Sequence, residues 1–481
     1  GVEPYFKGTW IYDKWTEPTY PVLRLNFLNL DNFSIDDFKN KLNSYITEFA
    51  NKIGVKEYAE KKEPEDSIDS MLEKLREEKR QIVILIDEYD YQLTSNINHD
   101  DLYKQFQQKI KRFYANIKDK LAIKFLGITG VTRLKDVEIF SIGSDINDIT
   151  NESAFSQLIG FTRDEIKKYY IDYLKLAASY ENKCRVEEVT DAQIESMLDM
   201  MAQNYDGYCF DEDYEKKVFN TWSVNKFFQT MVGKKKVQFG EYWYDNGGLP
   251  SILVNYLKTH ELNIFEYLDK DKFLKVSSDD FKNPTALTTI NQNVLMCQTG
   301  YLTLRSDLNK TSTVALGIPN GEIYKALNRL LANNIFKGNT DITDDYGRSL
   351  LEVGTVDDII NLFNSALNSV SYDNYPIVSE SSVQNMLKLY LLGAHQKVLS
   401  EVHEAKGRAD LVVNTDNRRI VFEFKYAKNE TEAKSKLLDA VEQIKTRDYG
   451  NIVPKKTELL RIAAVFNADP KVRAFTEFQL V

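Results

Sequence analysis

Two acidic residues and a lysine occur close together near the C-terminus, in the segment GRADLVVNTDNRRIVFEFKYAK (residues 407–428). Asp410 heads one apolar run, and Glu423 and Lys425 stand inside the next. Two carboxylates at one point repel each other unless a divalent cation neutralises them, and such oxygen ligands suit Mg²⁺ or Mn²⁺. A nearby lysine can orient or deprotonate a water molecule, or stabilise negative charge developing on a phosphoryl oxygen. These residue types therefore predict metal-assisted hydrolysis of a phosphodiester.

Two neighbouring β-strands would have to position these side chains. Residues i and i+2 of a strand face the same side, so Glu423 and Lys425 share a face. The turn sequence NTDNRR between the two apolar runs predicts a hairpin, which would bring Asp410 beside Glu423. A single E-x-K taken alone is more often an ion pair on a solvated strand face, and that alternative stays open at this point.

The order of elements around these strands strengthens the prediction. A helix is predicted at 382–394, strands at 397–404, 409–413 and 419–426, a helix at 432–450 and a strand at 459–467, which gives the order α-β-β-β-α-β. With this order, the segment resembles the PD-(D/E)xK nuclease superfamily, although Ala409 stands where the proline of that motif is usual. The resemblance implies a restriction-endonuclease-like α/β domain with Asp410 and Glu423 as metal ligands and a divalent cation as cofactor. The residues that it implies for catalysis are Asp410, Glu423, Lys425, Gln443 on the following helix and Glu401 before the G-x-D strand, with Glu380 as a weaker match.

A second acidic pair ends an apolar run in the N-terminal third, IVILIDEYD (residues 82–90). Ligands bind at the carboxyl ends of strands in open α/β sheets, so Asp87 is a candidate to hold Mg²⁺ and Glu88 to activate a water molecule. The segment resembles a Walker B motif. The next strand ends near Thr129 and Arg133, which suit a sensor residue and a phosphate-facing arginine. Ordinary strand-end turns are the simpler interpretation of all these residues.

Short segments along most of the chain resemble the bacterial AAA-ATPase-like family whose members carry a C-terminal PD-(D/E)xK domain. These segments are YFKGTWIYDKW, YPVLRLNF, ILIDEYD, ITGVTRL, IFSIGSDINDIT, YDGYCF, WSVNKFF, YWYDNGGLPSIL, QTGYLTL and GIPNGEIYKAL. The resemblance implies ATP as a ligand and a G-x-x-x-x-G-K-[ST] phosphate loop, but the printed sequence contains no such loop. The nearest candidate, around Gly233 in MVGKKK, lacks the first glycine and the hydroxyl. Either the loop was cut off or omitted, which we favour, or this ATPase has lost it and cannot bind nucleotide in the normal way. In both cases we expect that the chain as printed hydrolyses no ATP.

The expected architecture has three parts. They are a P-loop-NTPase-like parallel sheet domain without its first strand (1–160), a helical extension (161–370) and the nuclease-like domain (371–481). Near-continuous apolar strands in the first part predict a sheet that is covered on both faces. YDGYCF, GGLP and GIPN in the second part are either cleft-lining segments or, more simply, turns.

Composition limits the class of protein. The 481 residues are 43% hydrophobic and carry a net charge of −10, which is typical of a globular protein and lowers, without removing, the expectation of nucleic-acid binding. Three scattered cysteines and four histidines argue against a disulfide framework or a histidine-rich metal site. The chain has no apolar run long enough to span a membrane, and we expect a cytoplasmic protein.

Three functions are compatible with these observations. The first, and the one expected, is an ATPase-controlled metal-dependent nuclease acting on nucleic acid, DNA in preference to RNA, in a homo-oligomer of the kind that AAA-like modules often form. The alternative is a nucleotide-regulated module that binds nucleic acid or protein through a catalytically inactive nuclease fold. The third is a pure ATPase in which the C-terminal domain serves only for packing.

Overall fold

The structure is a computed structural model. It describes residues 6–118, 120–133, 146–245, 251–257, 260, 262–284, 287–336, 346–394, 396–404, 407–449 and 457–481. The chain divides into two compact units, the first formed by 1–150, 250–259 and 277–299, and the second by 151–249, 260–276 and 300–481. Within the described ranges, no helix is both long enough and apolar enough to cross a membrane.

The described strands are β1 (Val22–Asn26), β2 (Ile82–Asp87), β3 (Ile123–Ile128), β4 (Leu274–Ser277), β5 (Thr303–Leu304), β6 (Thr313–Gly317), β7 (Lys397–Glu404), β8 (Gly407–Asn414), β9 (Arg418–Ala427), β10 (Glu458–Asn467) and β11 (Ala474–Leu480). The described α-helices are α1 (Ile35–Lys52), α2 (Pro64–Glu77), α3 (Tyr91–Ser95), α4 (Asp100–Ile117), α5 (Arg163–Tyr169), α6 (Ile171–Asn182), α7 (Asp191–Tyr205), α8 (Thr221–Lys234), α9 (Tyr242–Asp245), α10 (Ser251–Leu257), α11 (Ser278–Lys282), α12 (Gln292–Gln298), α13 (Gly321–Ile335), α14 (Arg348–Val353), α15 (Val356–Asn368), α16 (Glu380–Gly393) and α17 (Glu430–Arg447).

The first unit contains the predicted parallel sheet, with strand order β1-β2-β3. Ser34 caps α1 as predicted, because its side chain accepts a hydrogen bond from the backbone N–H of Asp37. Apolar residues at helical spacing on α1, α2 and α4 are buried, and these three helices pack against one another.

One face of this sheet departs from the prediction. Leu23, Leu25 and the alternate isoleucines of β2 are buried, but Val22 is 39% and Phe125 is 59% exposed. Val22, Val83 and Phe125 are register partners, and paired residues of parallel strands lie on the same face. The described residues therefore leave this face partly exposed, and the expectation of a sheet covered on both faces is wrong for them. An apolar run shows that residues favour burial but cannot show what covers each face.

The helical part of the second unit is confirmed and also contains strands that were not predicted. Buried aliphatic, methionine and aromatic side chains of α5 to α8 form one apolar cluster, to which α5 contributes Ile166. A small sheet with strand order β4-β6-β5 accompanies the helices. The strands β4 and β5 have only four and two residues, too few for a clear alternation of apolar and polar residues.

The C-terminal domain of the second unit has a five-stranded mixed sheet in the order β11-β10-β9-β8-β7. β9 and β10 are parallel, while the β7–β8, β8–β9 and β10–β11 pairs are antiparallel. α17 packs on β9 and β10, and α16 also contacts the sheet. The predicted order α-β-β-β-α-β is confirmed up to β10, and it omitted β11, a largely half-exposed edge strand.

Candidate functional site

The point at which β8 and β9 separate brings the three C-terminal residues together. Their ladder begins at the Leu411–Phe422 pair, so the next residues along the two strands are Asp410 and Glu423. Beyond that pair, Asp410 Oδ2 accepts a hydrogen bond of 2.8 Å from the backbone N–H of Phe424. At this point a side-chain hydrogen bond takes the place of the backbone hydrogen bonds between the strands. It fixes the Asp410 carboxylate beside the segment that carries Glu423 and Lys425.

Glu423 is a fully buried carboxylate, with 0% of the residue exposed. Its Oε1 atom accepts a hydrogen bond of 2.7 Å from Lys425 Nζ, as expected for residues two apart on one strand face. Its Oε2 atom is buried and has no hydrogen-bond partner among the described residues. Burial, and next the charge of Asp410, raise the pKa of Glu423 to about 7, although Lys425 acts in the opposite direction.

Lys425 lies at the centre of the cluster. Besides Glu423, its Nζ atom lies 3.4 Å from Glu380 Oε1 and donates to the backbone oxygen of Phe424 at 3.0 Å. Burial opposes the charged form of Lys425, but its hydrogen bond to Glu423 and the charges of Glu423, Glu380 and Asp410 outweigh burial and raise the pKa of Lys425. The lysine therefore stays protonated at neutral pH in this cluster.

Asp410 and Glu423 are the residues that could hold a divalent cation. Within the described ranges, no group of three or more His, Cys, Asp or Glu side chains is arranged to ligate a metal. The buried, unpartnered Oε2 atom of Glu423 nevertheless fits a hard cation, because a buried carboxylate oxygen without a partner is costly. Mg²⁺ commonly uses one or two carboxylates and keeps several water ligands, so two protein ligands are sufficient.

The other two residues predicted for catalysis have different outcomes. Gln443 lies on α17 and its Nε2 atom donates to the Tyr449 hydroxyl at 3.3 Å, so it joins the site through that hydroxyl. Glu401 lies in β7, where the flanking Ser400–Leu411 and Val402–Ala409 pairs place its backbone beside that of Asp410. The Glu401 side chain is outside the described part of the structure.

Three residues near the site were not identified from the sequence. Gln384 on α16 donates to the backbone oxygen of Asp410. Tyr449 donates to the backbone oxygen of Arg408 at 2.8 Å and accepts from Arg447 Nη1 at 2.9 Å. A helical spacing of four between Gln443 and Arg447 could have indicated a shared face on α17. Gln384 and Tyr449 act on backbone atoms, and the sequence carries no comparable signal for such contacts.

The N-terminal acidic pair also lies at a strand end. Asp87 ends β2 and is exposed, and its Oδ1 atom accepts a hydrogen bond from the Thr129 hydroxyl just beyond β3. Glu88 has a positive φ of 55°. Burial, and then the charges of Asp90 and Asp87, raise the pKa of Glu88. The structure thus brings Asp87 and Thr129 together at the carboxyl end of the sheet, where the sequence places a nucleotide site.

Arg133 has protein partners in the described residues. Its Nε atom lies 2.5 Å from Asp148 Oδ2, and its backbone N–H donates to Gln298. Its phosphate-binding role stays a prediction. Gly233, the nearest match to a phosphate loop, lies within α8, whereas a phosphate loop precedes its helix.

Comparisons with known proteins find matches to family models in two regions of the chain. Residues 1–140 match the AAA-ATPase-like family model, described as a predicted AAA-ATPase, and residues 378–476 match the model of the PD-(D/E)XK nuclease superfamily. The chain therefore has an N-terminal region similar to the predicted AAA-ATPase family and a C-terminal region similar to the PD-(D/E)XK nuclease superfamily. It is also similar to a protein of Azotobacter chroococcum mcd 1, described as an uncharacterized protein in the vnfD 5' region. The two are 22% identical over 483 positions, covering 98% of this chain and 86% of that protein. No solved structure matches the chain.

Proposed function

We propose that the C-terminal domain is a divalent-metal-dependent nuclease that cleaves phosphodiester bonds, with DNA as the preferred substrate. The observation that supports this most strongly is the convergence of Asp410, Glu423 and Lys425 where β8 and β9 separate, with one oxygen of Glu423 buried and unpartnered. These are the residue types that metal-assisted hydrolysis requires, and they meet in one place.

Each side chain has a specific task in this proposal. Asp410 and Glu423 would hold Mg²⁺ or Mn²⁺, which when bound supplies Lewis acidity toward the phosphate and the attacking water. The backbone N–H of Phe424 and the amide of Gln384 fix Asp410 in position. Lys425 orients the water molecule whose oxygen attacks phosphorus as the bond to the leaving sugar oxygen breaks. Gln443 supports the site through the Tyr449 hydroxyl.

The first experiment compares the wild-type protein with the Asp410→Asn and Lys425→Met variants. It measures cleavage of single- and double-stranded DNA and RNA in the presence of Mn²⁺ or Mg²⁺. We expect at least a 10²-fold lower rate in both variants, because general acid–base and electrostatic contributions have that size. Equal cleavage by the wild type and both variants would contradict the proposal.

Stability measurements separate chemistry from folding in this experiment. Lys425→Met removes the partner of a buried carboxylate. At pH values above the pKa of Glu423, this should lower the free energy of unfolding by about 3–5 kcal/mol. Combining it with Glu423→Gln removes the uncompensated charge, so we expect thermal stability to recover while cleavage stays absent. If the double variant recovers both thermal stability and cleavage, the catalytic residues lie elsewhere.

A specific observation also favours the alternative function, a binding module with an inactive nuclease fold. Lys425 already neutralises Glu423 at 2.7 Å, and fewer than three metal-ligating side chains converge within the described residues. Nucleic-acid binding by the wild type with no cleavage in either metal would support this alternative.

The N-terminal region is proposed to control the nuclease through ATP when a phosphate loop is present. Asp87 and Thr129, joined at the carboxyl end of the sheet, are the proposed Mg²⁺-facing and sensor residues. Glu88 is the proposed activator of water. Arg133 is proposed to release its ion pair with Asp148 and to bind the phosphates of the nucleotide instead. A homo-oligomer is part of the same proposal, as are module limits of 1–160, 161–370 and 371–481.

A further inference from the structure

Arg447, the last residue of α17, is packed against the start of β8 in a way that requires Gly407. A Cβ atom added to Gly407 would lie 2.6 Å from Cδ and 3.3 Å from Cγ of Arg447. Carbon atoms do not approach so closely, so any larger residue at 407 must displace the arginine stem. The glycine that begins the G-x-x-D segment therefore creates the space in which this side chain lies.

A rigid turn presents the Arg447 guanidinium group. Its Nη1 atom donates to the Tyr449 hydroxyl at 2.9 Å, and this buried tyrosine donates in turn to the backbone oxygen of Arg408 at 2.8 Å. Arg461 of β10 holds the same turn, because its Nη2 lies 2.9 Å from Asp448 Oδ1 and its Nε donates to the backbone oxygen of Tyr449. A fixed donor of this kind loses little freedom when it binds a ligand.

Arg447 has further donors besides the one that contacts Tyr449. Only the contact to Tyr449 is made with the described residues, which leaves Nε and Nη2 without a protein acceptor among them. No described carboxylate forms an ion pair with Arg447, yet the charges of Glu423 and Asp410 act on it together with the hydrogen bond of Tyr449. Through Tyr449 the guanidinium group is connected to the backbone of Arg408, two residues before Asp410, and no carboxylate of the described residues neutralises it.

From this arrangement we infer that Arg447 is a further catalytic residue, which binds a non-bridging oxygen of the scissile phosphate beside Asp410 and Glu423. The inference rests on the proposed nuclease function. A guanidinium group offers planar, paired N–H donors that match phosphate oxygens, and it keeps its charge at every accessible pH. Arg447 makes hydrogen bonds only, and it stabilises the charge that grows on the phosphoryl oxygens as water attacks.

The test compares Arg447→Ala and Arg447→Lys with Lys445→Ala, a matched control that removes an exposed positive charge from the same helical turn. We expect kcat/KM for Mn²⁺-dependent DNA cleavage to fall about 10²–10³-fold in Arg447→Ala, since removing one transition-state donor has this effect. Arg447→Lys should lie between the two, because it keeps the charge and loses the planar fork. Lys445→Ala should match the wild type, and thermal unfolding verifies that all variants are folded.

A double-variant comparison uses the close packing of Gly407. Gly407→Ala should lower kcat/KM by displacing Arg447, and adding it to Arg447→Ala should cause no further loss, because the residue that it displaces is gone. Full additivity of the two losses would overturn the inference. If one of these variants is unstable, Tyr449→Phe replaces it in the comparison. This variant removes the hydroxyl that accepts from Arg447 and loses only one oxygen atom.

A binding measurement distinguishes failure of this inference from failure of the proposed function. Affinity of the Asp410→Asn protein for a fluorescein-labelled DNA duplex is recorded against salt concentration, with and without Arg447→Ala. Loss of one phosphate contact should reduce the slope of log K against log salt by about 1. An unchanged slope together with cleavage equal to that of Lys445→Ala overturns the role of Arg447 alone. A wild type that neither binds nor cleaves DNA overturns both proposals.

Discussion

Glu322 shows at the residue scale how a buried acid can be satisfied by neutral donors alone. It is 2% exposed at the start of α13 and accepts hydrogen bonds from the Ser223 hydroxyl at 2.7 Å and the Trp243 backbone N–H at 2.9 Å. Burial raises the pKa of Glu322 to about 7. The segments WSVNKFF, YWYD and GIPNGE, which carried part of the family resemblance, meet at this carboxyl group. Their shared role in the described structure is to hold three parts of the helical region together.

Replacing Glu322 with glutamine should change how stability depends on pH. The folded protein holds the Glu322 proton more tightly than the unfolded chain, so wild-type stability is complete below pH 4.5 and falls as pH rises to about 7. The expected loss is about 3 kcal/mol, and Glu322→Gln should escape it because an amide does not ionise. Denaturant titrations across this pH range measure the difference between the two proteins. Glu187→Gln, at an exposed site, is the control, and a difference that stays constant with pH would contradict the expectation.

Asp90 connects two elements in the first unit. The residue is fully buried, and its carboxylate accepts from the backbone N–H groups of Thr132 at 2.6 Å and Val131 at 3.2 Å, as well as from the Thr132 hydroxyl. It lies three residues after the end of β2, while Thr132 lies beyond β3. Asp90 therefore fixes the segment after β3 to the end of β2, and this is the edge where Asp87 meets Thr129.

Removing the Asp90 carboxylate should loosen that edge of the sheet. Asp90→Ala leaves the Thr132 N–H buried without an acceptor, so we expect a loss of about 1–3 kcal/mol in stability. Hydrogen exchange at residues 129–133 should accelerate more than exchange in β1. Asp13→Ala removes an exposed acid from the same unit and serves as the control. Equal exchange in the two variants would show that the connection contributes nothing to local order.

At the scale of the whole molecule, the two acidic pairs that the sequence predicts as metal-binding candidates lie in different compact units. In the C-terminal pair, Glu423 has a buried oxygen without a hydrogen-bond partner among the described residues, whereas in the N-terminal pair Asp87 is exposed and hydrogen-bonded to Thr129. Mn²⁺ added without nucleotide should therefore protect peptides within residues 407–428 from hydrogen exchange and leave peptides of β2 and β3 unchanged. Asp410→Asn should abolish the protection. Protection at 82–90 or 123–129 instead would move the metal site to the first unit.

Local sequence signals were sufficient for much of the fold. The Ser34 cap, the helical periodicity of α1 and α4, and the turn between β8 and β9 depend on neighbours a few residues apart, so they could be predicted without tertiary contacts. The same was true of the shared face of Glu423 and Lys425, since strand geometry fixes it. β4 and β5 were missed because few residues carry their pattern, and the edge strand β11 because its residues do not alternate clearly between buried and exposed.

Only the tertiary structure decided which side chains meet across elements and how they are buried. The sequence determined the residue types of the candidate site, and the resemblance indicated Gln443, but Arg447, Tyr449 and Gln384 were found from contacts that join distant segments. Packing likewise decided that one face of the N-terminal sheet is buried and that the other face is only partly buried. The reason is that periodicity and turn chemistry act over a few residues, whereas desolvation and hydrogen bonding depend on which distant residues become neighbours in the folded chain.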